Sequence, residues 1–375
     1  MSAAKTLDGK KLAVLTSGGD APGMNAAIRA AAMVAVSKGA EVFGVDRGYR
    51  GLLDGRLRKL EPADVHDILR EGGTMLGSAR CPEFHEAAAR DQARAVLADH
   101  GVDALVVIGG NGSLTGARAL SDPDECSGTP PRVVGIPASI DNDIGLTGLA
   151  IGVDTAMNTI VEAIDKISDT ASAHDRTFIV EVMGRDCGYL AMTAAVAAGA
   201  DMVLFPERGK SEEELVRSIA DTVIAVRERP YRSRRVIAIK AEGVGASTLD
   251  LKTAVDAELR KRSGDEASTV ETRITVLGHV VRGGRPSAFD RLLGSRLANV
   301  AVRSLAAGQT RKMASWMPPA VLPPEIGVRS KDDPYCYLVD LDAVLAETAR
   351  LLGGASPLAR WRASVFDELE DIFIL

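Results

Sequence analysis

The stretch that decides the fold is Leu12-Ala13-Val14-Leu15-Thr16-Ser17-Gly18-Gly19-Asp20-Ala21-Pro22-Gly23, which runs directly into the Ala-rich segment Met24 to Val36. Leu12 to Thr16 is short, apolar and unalternating, as a strand covered on both faces must be. Two glycines and an aspartate break it, and the alanines that follow are strong helix formers. Strand, glycine turn and helix in that order open an α/β unit.

The alternation continues outward from this unit. Glu41 to Val45, Ala104 to Ile108, Val133 to Pro137, Thr177 to Met183, Met202 to Phe205, Val236 to Ile239 and Ile274 to Leu277 read as further buried strands. Helical patterns cover Thr155 to Ile167, Tyr189 to Ala198, Ser211 to Arg227, Leu249 to Arg262 and, after a Pro-rich stretch from Trp316 to Asp333, Leu341 to Leu352. This order predicts a doubly wound α/β protein, mainly parallel sheets flanked by helices in three layers. A length of 375 residues favours two such domains. In open parallel sheets, ligands bind at the carboxyl ends of the strands.

Composition narrows the function. The net charge is −6 and aromatics are 4%, so a nucleic-acid partner lacks both the basic surface and the stacking groups it needs. No apolar run reaches the roughly 18 residues of a membrane span. Cys81, Cys126, Cys187 and Cys336 are scattered with no C-x-x-C pair, and the polar start at Met1 to Lys11 has no signal core. A cytoplasmic protein without membrane or nucleic-acid partners is expected.

Chemistry concentrates at three strand ends: Thr16 to Gly23, Ile108-Gly109-Gly110-Asn111-Gly112-Ser113, and Pro137-Ala138-Ser139-Ile140-Asp141-Asn142-Asp143. Glycine lets a phosphate approach the backbone N–H groups, and a helix beginning straight afterwards adds its positive end. Pro22 reads as lying just inside a helix start, and Ser113 as a cap. One such loop is more often a packing device; three on successive strand ends point to a polyphosphate. There is no G-x-x-x-x-G-K-[ST] and no G-x-G-x-x-G opening a helix after a strand, which disfavours P-loop and dinucleotide sites. Asp141 and Asp143, two apart, would share a face on a strand, one taking a proton and the other orienting metal or water. An Asx-rich surface turn explains them equally well. Arg176 and Arg185 flank one strand, and Arg273, His279 and Arg282 flank another. Arginine suits phosphate, though each alone is more often a solvated strand-end charge.

Together these residues resemble the ATP-type phosphofructokinases of the glycolytic A family, in order and at full spacing from Lys11 to Ala307. Leu15 to Arg29, Gly72 to Phe84, Val134 to Asp143, Ala173 to Gly188 and Glu271 to Gly284 carry the resemblance. It implies MgATP-dependent phosphorylation of fructose 6-phosphate at its 1-hydroxyl, with Mg2+ as cofactor and ATP as co-substrate. Asp141 would be the base. Asp143 would support the metal with Asn111, Ser139 would sit beside the moving phosphoryl group, and Arg185 and Gly19 would stabilise its charge. Gly19, Arg80, Cys81, Gly110, Asn111, Gly112 and Ser113 would hold the nucleotide. Ser139, Asp141, Arg176, Met183, Gly184, Arg185, Glu242, Arg273, His279 and Arg282 would hold the sugar phosphate. Arg176 and Arg273 would reach in from a neighbouring subunit, which implies a homotetramer with shared sites.

The resemblance also implies a nucleotide lobe of residues 1–152 plus about 281–320, a sugar lobe of 153–280, and a tail of 321–375 that it does not place. Gly112 and Ala138 stand where pyrophosphate users carry Asp and Lys, so ATP is the expected donor. A pyrophosphate-linked enzyme and a weakly catalytic sugar-phosphate-binding paralogue are the alternatives. Asn111 departs from the usual Asp, which predicts weaker metal use. Arg29 and Arg56 match two effector-site arginines, whereas Met33 and Ser168 replace others and Arg232 to Arg235 aligns only in part. Altered effector control is expected.

Overall fold

The computed structural model describes residues 6–126, 128–228, 234–263, 272–318, 327–331 and 333–368. The chain divides into two compact units, changing unit between Thr155 and Ala156, between Val281 and Arg282, and between Arg350 and Leu351.

The first unit begins β1 (Lys11–Ser17), α1 (Met24–Ser37), β2 (Glu41–Val45), α2 (Gly48–Leu53), β3 (Leu57–Lys59), α3 (Pro62–Val65), α4 (Ala87–Asp99), β4 (Ala104–Gly109), α5 (Asn111–Leu120), β5 (Arg132–Pro137). The chain then enters α6 (Val153–Ala173) and builds the second unit from β6 (Thr177–Val182), α7 (Tyr189–Ala197), β7 (Met202–Leu204), α8 (Glu212–Glu228), β8 (Val236–Ala241), α9 (Thr248–Ser263) and β9 (Thr272–Val276). It returns through α10 (Ala288–Ala306), β10 (Lys312–Trp316), β11 (Gly327–Arg329), β12 (Cys336–Asp340) and α11 (Leu341–Leu352), and α12 (Pro357–Glu368) follows.

Among the described residues, the first unit's sheet has the order β11-β12-β10-β5-β4-β1-β2-β3, and the second unit's has the order β7-β8-β6-β9. The second sheet is parallel throughout. In the first, β3, β11 and β12 pair antiparallel at the two edges of a parallel centre. The unalternating runs are explained by this layering. Leu12, Ala13, Val14 and Leu15, and likewise Leu105 to Ile108, are buried on both faces. Helices therefore cover both sides, as a parallel sheet demands.

Chain order reverses around β1: β2 lies on one side and β4 on the other. The loops leaving β1 and β4 part there and open a crevice at their carboxyl ends. Behind it, α1 crosses α10 closely enough that a β-carbon at Gly294 would come within 3.0 Å of the Gly23 carbonyl oxygen. Buried Asp290 on α10 accepts from Gly152 N and Thr155 N, both at 2.8 Å, and so caps the entry to α6 from a distant element. Burial pushes its carboxyl pKa up, against the opposing pull of the Thr155 hydroxyl and those two N–H groups.

Three local readings change. Gly23 is the N-cap of α1, so Pro22 precedes the helix. Gly110 is the N-cap of α5, so Ser113 is not a cap; it sits buried in the helix's first turn. Asp141 and Asp143 lie in a turn after β5, with Asn142 between them at φ 52. A strand's alternation therefore does not set their directions. The Pro-rich stretch falls partly outside the described residues, as do Arg232 and Glu271.

Candidate active site

The three glycine-bearing strand ends converge on one cavity of about 640 Å3 in the first unit. Ser17, Gly18 and Gly19 from β1, the first turns of α5, and Ala138, Ser139, Asp141 and Asp143 after β5 all line it. Arg80, Cys81 and Arg282 complete the wall.

Each loop is held by a specific contact. Gly109 ends β4 with no room for a side chain: a β-carbon there would meet Ser113 Oγ at 2.5 Å. Gly18, at φ 85, lies over the same hydroxyl. Ser113 thus packs two glycine loops together, and the N–H groups opening α5 face the cavity. Tyr49 donates to Ser113 O at 2.7 Å and stacks on Phe84 at 4.0 Å, forming an aromatic wall at the cavity's far end.

The segment carrying Arg80 is pinned over β1 by buried polar groups. Asn25 on α1 donates to the carbonyls of Glu71 and Gly72 at 3.2 and 3.1 Å and accepts from Met75 N at 2.7 Å. Thr16 donates to Gly77 O at 2.9 Å, and Ser78 to Gly18 O at 2.6 Å. Arg50 pairs with Glu83 beside Cys81, and burial pushes the Cys81 thiol pKa up.

The carboxylate turn is clamped from inside. Asn142, fully buried, donates to Gly148 O at 3.0 Å and accepts from Ala150 N at 3.0 Å. Its left-handed backbone turns the chain so that both flanking aspartates reach the cavity. Ser139 Oγ donates to Asp143 Oδ1 at 2.7 Å, which fixes the Asp143 carboxylate. Asn25 and Asn142 were not singled out in the sequence. Each is an asparagine within an otherwise recognisable motif, and only burial reveals it as a bracket.

Gly112 and Ala138, the two positions expected to distinguish the phosphoryl donor, both line the cavity. A β-carbon at Gly112 would meet nothing within 4 Å, so this face of the cavity is open and a carboxylate there would project into it. Ala138 lines the same wall without a charge.

In the second unit, Met183, Gly184 and Arg185 follow β6, Glu242 follows β8 and His279 follows β9. All lie at carboxyl ends of neighbouring parallel strands. Gly184 O accepts from Gly243 N at 3.1 Å, and Gly243 is in contact range of Arg185 O such that no β-carbon fits. Arg176 precedes β6 and Arg273 is the second residue of β9. They sit at the amino ends, about 15 Å or more along the strands at ~3.3 Å per residue, and the fold does not bring them to Arg185. Arg282 belongs to the first unit, where it lines the cavity beside Gly19. Arg29 and Arg56 engage local partners, the His66 carbonyl at 3.3 Å and Asp54 at 3.2 Å.

Paired strand-end glycine loops, a helix N-terminus and two aspartates around one cavity define an α/β protein built to handle phosphoryl groups. A family model described as phosphofructokinase matches residues 11–305, and the chain belongs to that family. It is 47% identical over 305 residues to the ATP-dependent 6-phosphofructokinase of Clostridium botulinum (strain Eklund 17B / Type B), covering 81% of this chain and 88% of that one. Among solved structures, phosphofructokinase from Saccharomyces cerevisiae superposes with a TM-score of 0.80 at 33% identity over 95% of this chain. This chain spans half the length of that yeast chain. A pyrophosphate-dependent phosphofructokinase from Marinobacter aquaeolei, at 21% identity and TM-score 0.72 over 89% of this chain and 83% of that one, shares the fold.

Proposed function

We propose that this protein is an enzyme that transfers the γ-phosphoryl group of ATP to the 1-hydroxyl of fructose 6-phosphate, giving fructose 1,6-bisphosphate and ADP. The observation that carries the reading is the meeting of Asp141 and Asp143 with the glycine loops of β1 and β4 in one cavity. A kinase needs those parts together: a cradle for polyphosphate and a carboxylate for the acceptor proton. The open face at Gly112 leaves space for a nucleotide's α-phosphate and supports ATP over pyrophosphate.

In this reading, Asp141 accepts the proton of the attacking hydroxyl. Ser139 and Asn142 keep the turn in place, the first through Asp143 and the second through Gly148 and Ala150. The N–H groups of Gly19 and of the first turn of α5, with Arg80 and Arg282, neutralise phosphate charge. Arg185, Met183, Gly184, Glu242 and His279 bind the sugar phosphate, and Arg185 also stabilises the transferring group. Arg176 and Arg273, at the other end of their sheet, serve a neighbouring subunit's site within a homotetramer.

The donor set suits Mg2+ that arrives with the nucleotide. Among the described residues no cluster of three or more His, Cys, Asp or Glu forms a cage, and Mg2+ in phosphoryl-transfer sites is held by one or two carboxylates plus phosphates and water. Asp143 and Asn111 would hold it, and it would supply neutralisation of the phosphate charge. No helix among the described residues is long and apolar enough to cross a membrane.

The test is a coupled assay with fructose 6-phosphate and Mg2+, run separately with ATP and pyrophosphate. Turnover with ATP that falls by about 100-fold or more in Asp141→Asn supports the reading. Turnover with pyrophosphate alone, or full activity in Asp141→Asn, overturns it.

A further inference from the structure

The C-terminal helix α12 lies beyond the family match, which ends at residue 305, yet it buries an arginine in the second unit. Arg362 is 7% exposed. Its guanidinium stacks over Tyr189 at 4.6 Å from the ring centroid, and Nη1 donates to Cys187 Sγ at 3.8 Å. One turn on, buried Phe366 packs toward Phe205 at 6.4 Å.

The target is a particular loop. Cys187 and Tyr189 bracket the end of the connection from β6 to α7, whose start is Met183-Gly184-Arg185. That connection is tightly wound. Gly184 adopts φ 128, and a β-carbon on it would stand 2.6 Å from Cys187 O. Gly188 N donates to Glu207 Oε1 at 2.8 Å, and Gly184 O accepts from Gly243 N at 3.1 Å. The loop's backbone is therefore anchored to the ends of β7 and β8, while the side chains of Cys187 and Tyr189 are held by α12. Cys187 O thus lies close against Gly184, the residue immediately before Arg185.

We infer that Arg362 is a positioning residue, and that α12 braces the Met183–Gly188 loop so that Arg185 is held for phosphoryl transfer. The inference rests on the role of Arg185 proposed above. Burying a guanidinium is costly unless its contacts compensate. The ring face and the sulfur supply a cation–π contact and a soft acceptor, so the loop contributes to holding the charge in this position.

The experiment uses the full-length chain. Arg362→Met keeps most of the apolar stem and removes the charge, Arg362→Lys restores it, and Cys187→Ala removes only the sulfur. Each is compared in the native background and with Arg185→Met. The inference predicts that Arg362→Met lowers kcat by about tenfold, leaves the KM for ATP within about twofold, and is partly rescued by lysine. Cys187→Ala should move kcat in the same direction by less. In the Arg185→Met background, the Arg362→Met penalty should shrink to under about twofold, because residues acting as a unit are non-additive. Equal penalties in both backgrounds, or unchanged kcat in both Arg362→Met and Cys187→Ala, overturn it. A second readout is independent of turnover: alkylation of Cys187 by a neutral maleimide should quicken in Arg362→Met, and an unchanged rate refutes the brace. Absence of ATP-dependent turnover in the unmodified protein, with the alkylation change intact, would sink the proposed function and spare the brace.

Discussion

The guanidinium of Arg282 lies against the backbone of Gly19, so close that a β-carbon on residue 19 would come within 2.8 Å of Nη1. The same Nη1 donates weakly to Asp20 O at 3.4 Å. Gly19 and Arg282, far apart in the chain, thereby share one wall of the cavity. Glycine at 19 is required by this approach and not by its own backbone angle, since Gly19 is absent from the positive-φ glycines.

Gly19→Ala therefore separates function from stability. The obstructing atom is the end of a flexible side chain, so the fold accommodates the methyl by swinging Arg282 aside. The thermal midpoint should change by no more than about 2 °C. The ratio kcat/KM should fall by about tenfold, equivalent to ~1.4 kcal/mol, as the arginine leaves the cradle. Steady-state kinetics beside thermal melting check this, and a large loss of stability with normal kinetics would contradict it.

Asn142→Ala should damage both. It removes two buried hydrogen bonds, leaves Gly148 O and Ala150 N short of their partner, and places alanine at φ 52. Together these cost about 2–4 kcal/mol. The Asp141–Asp143 turn loosens, so kcat should drop more than the KM for ATP rises. Urea unfolding and initial rates provide the two measurements; a variant with native stability would show that the clamp is dispensable.

Asn111→Asp should tighten metal use. Asn111 begins α5, where a carboxylate is favoured by the helix dipole, and it lines the cavity with Asp143. A charged oxygen in place of an amide should lower the half-saturating Mg2+ concentration by about tenfold. Titration of activity with Mg2+ at fixed ATP reads it directly, and unchanged Mg2+ dependence would refute the role given to Asn111.

Asp333 supplies the pH dependence. The Arg296 guanidinium, paired with it through two hydrogen bonds, holds its carboxyl below the ordinary value against the opposing effect of burial. A carboxyl depressed on folding stabilises the protein above its unfolded pKa of about 3.9, and that contribution is lost as pH falls through the folded value. Asp333→Asn should cost about 1.5–3 kcal/mol at pH 7. The gap to the unmodified protein should narrow progressively as pH falls below ~4. Denaturant midpoints from pH 7 downward measure it; a gap that stays constant as the pH drops below ~4 would contradict the assignment.

Most of the parallel core was legible because each strand is a short, wholly apolar run and each break is a glycine. Helix α4 was harder to read. On α4, Arg90 and Arg94 occupy the buried face, 9% exposed each, with their guanidinium groups bonded to carbonyls and acidic partners. Charge on the inner face disguises the apolar period that a helix normally shows. The edge strand β11 lies within the Pro-rich stretch and its antiparallel neighbour β12 follows directly after it, so the surrounding sequence obscured both.

The amino-acid sequence alone determined the βα order and the three glycine-bearing strand ends. These are properties of near neighbours, written in run length, side-chain size and turn chemistry. Only the tertiary structure decided that Ser113 packs instead of caps, that Asn25 and Asn142 bracket the loops, that Arg282 faces Gly19, and that Arg362 reaches Cys187. Those relationships join residues far apart in the chain, and burial and close packing select them, which no local pattern encodes.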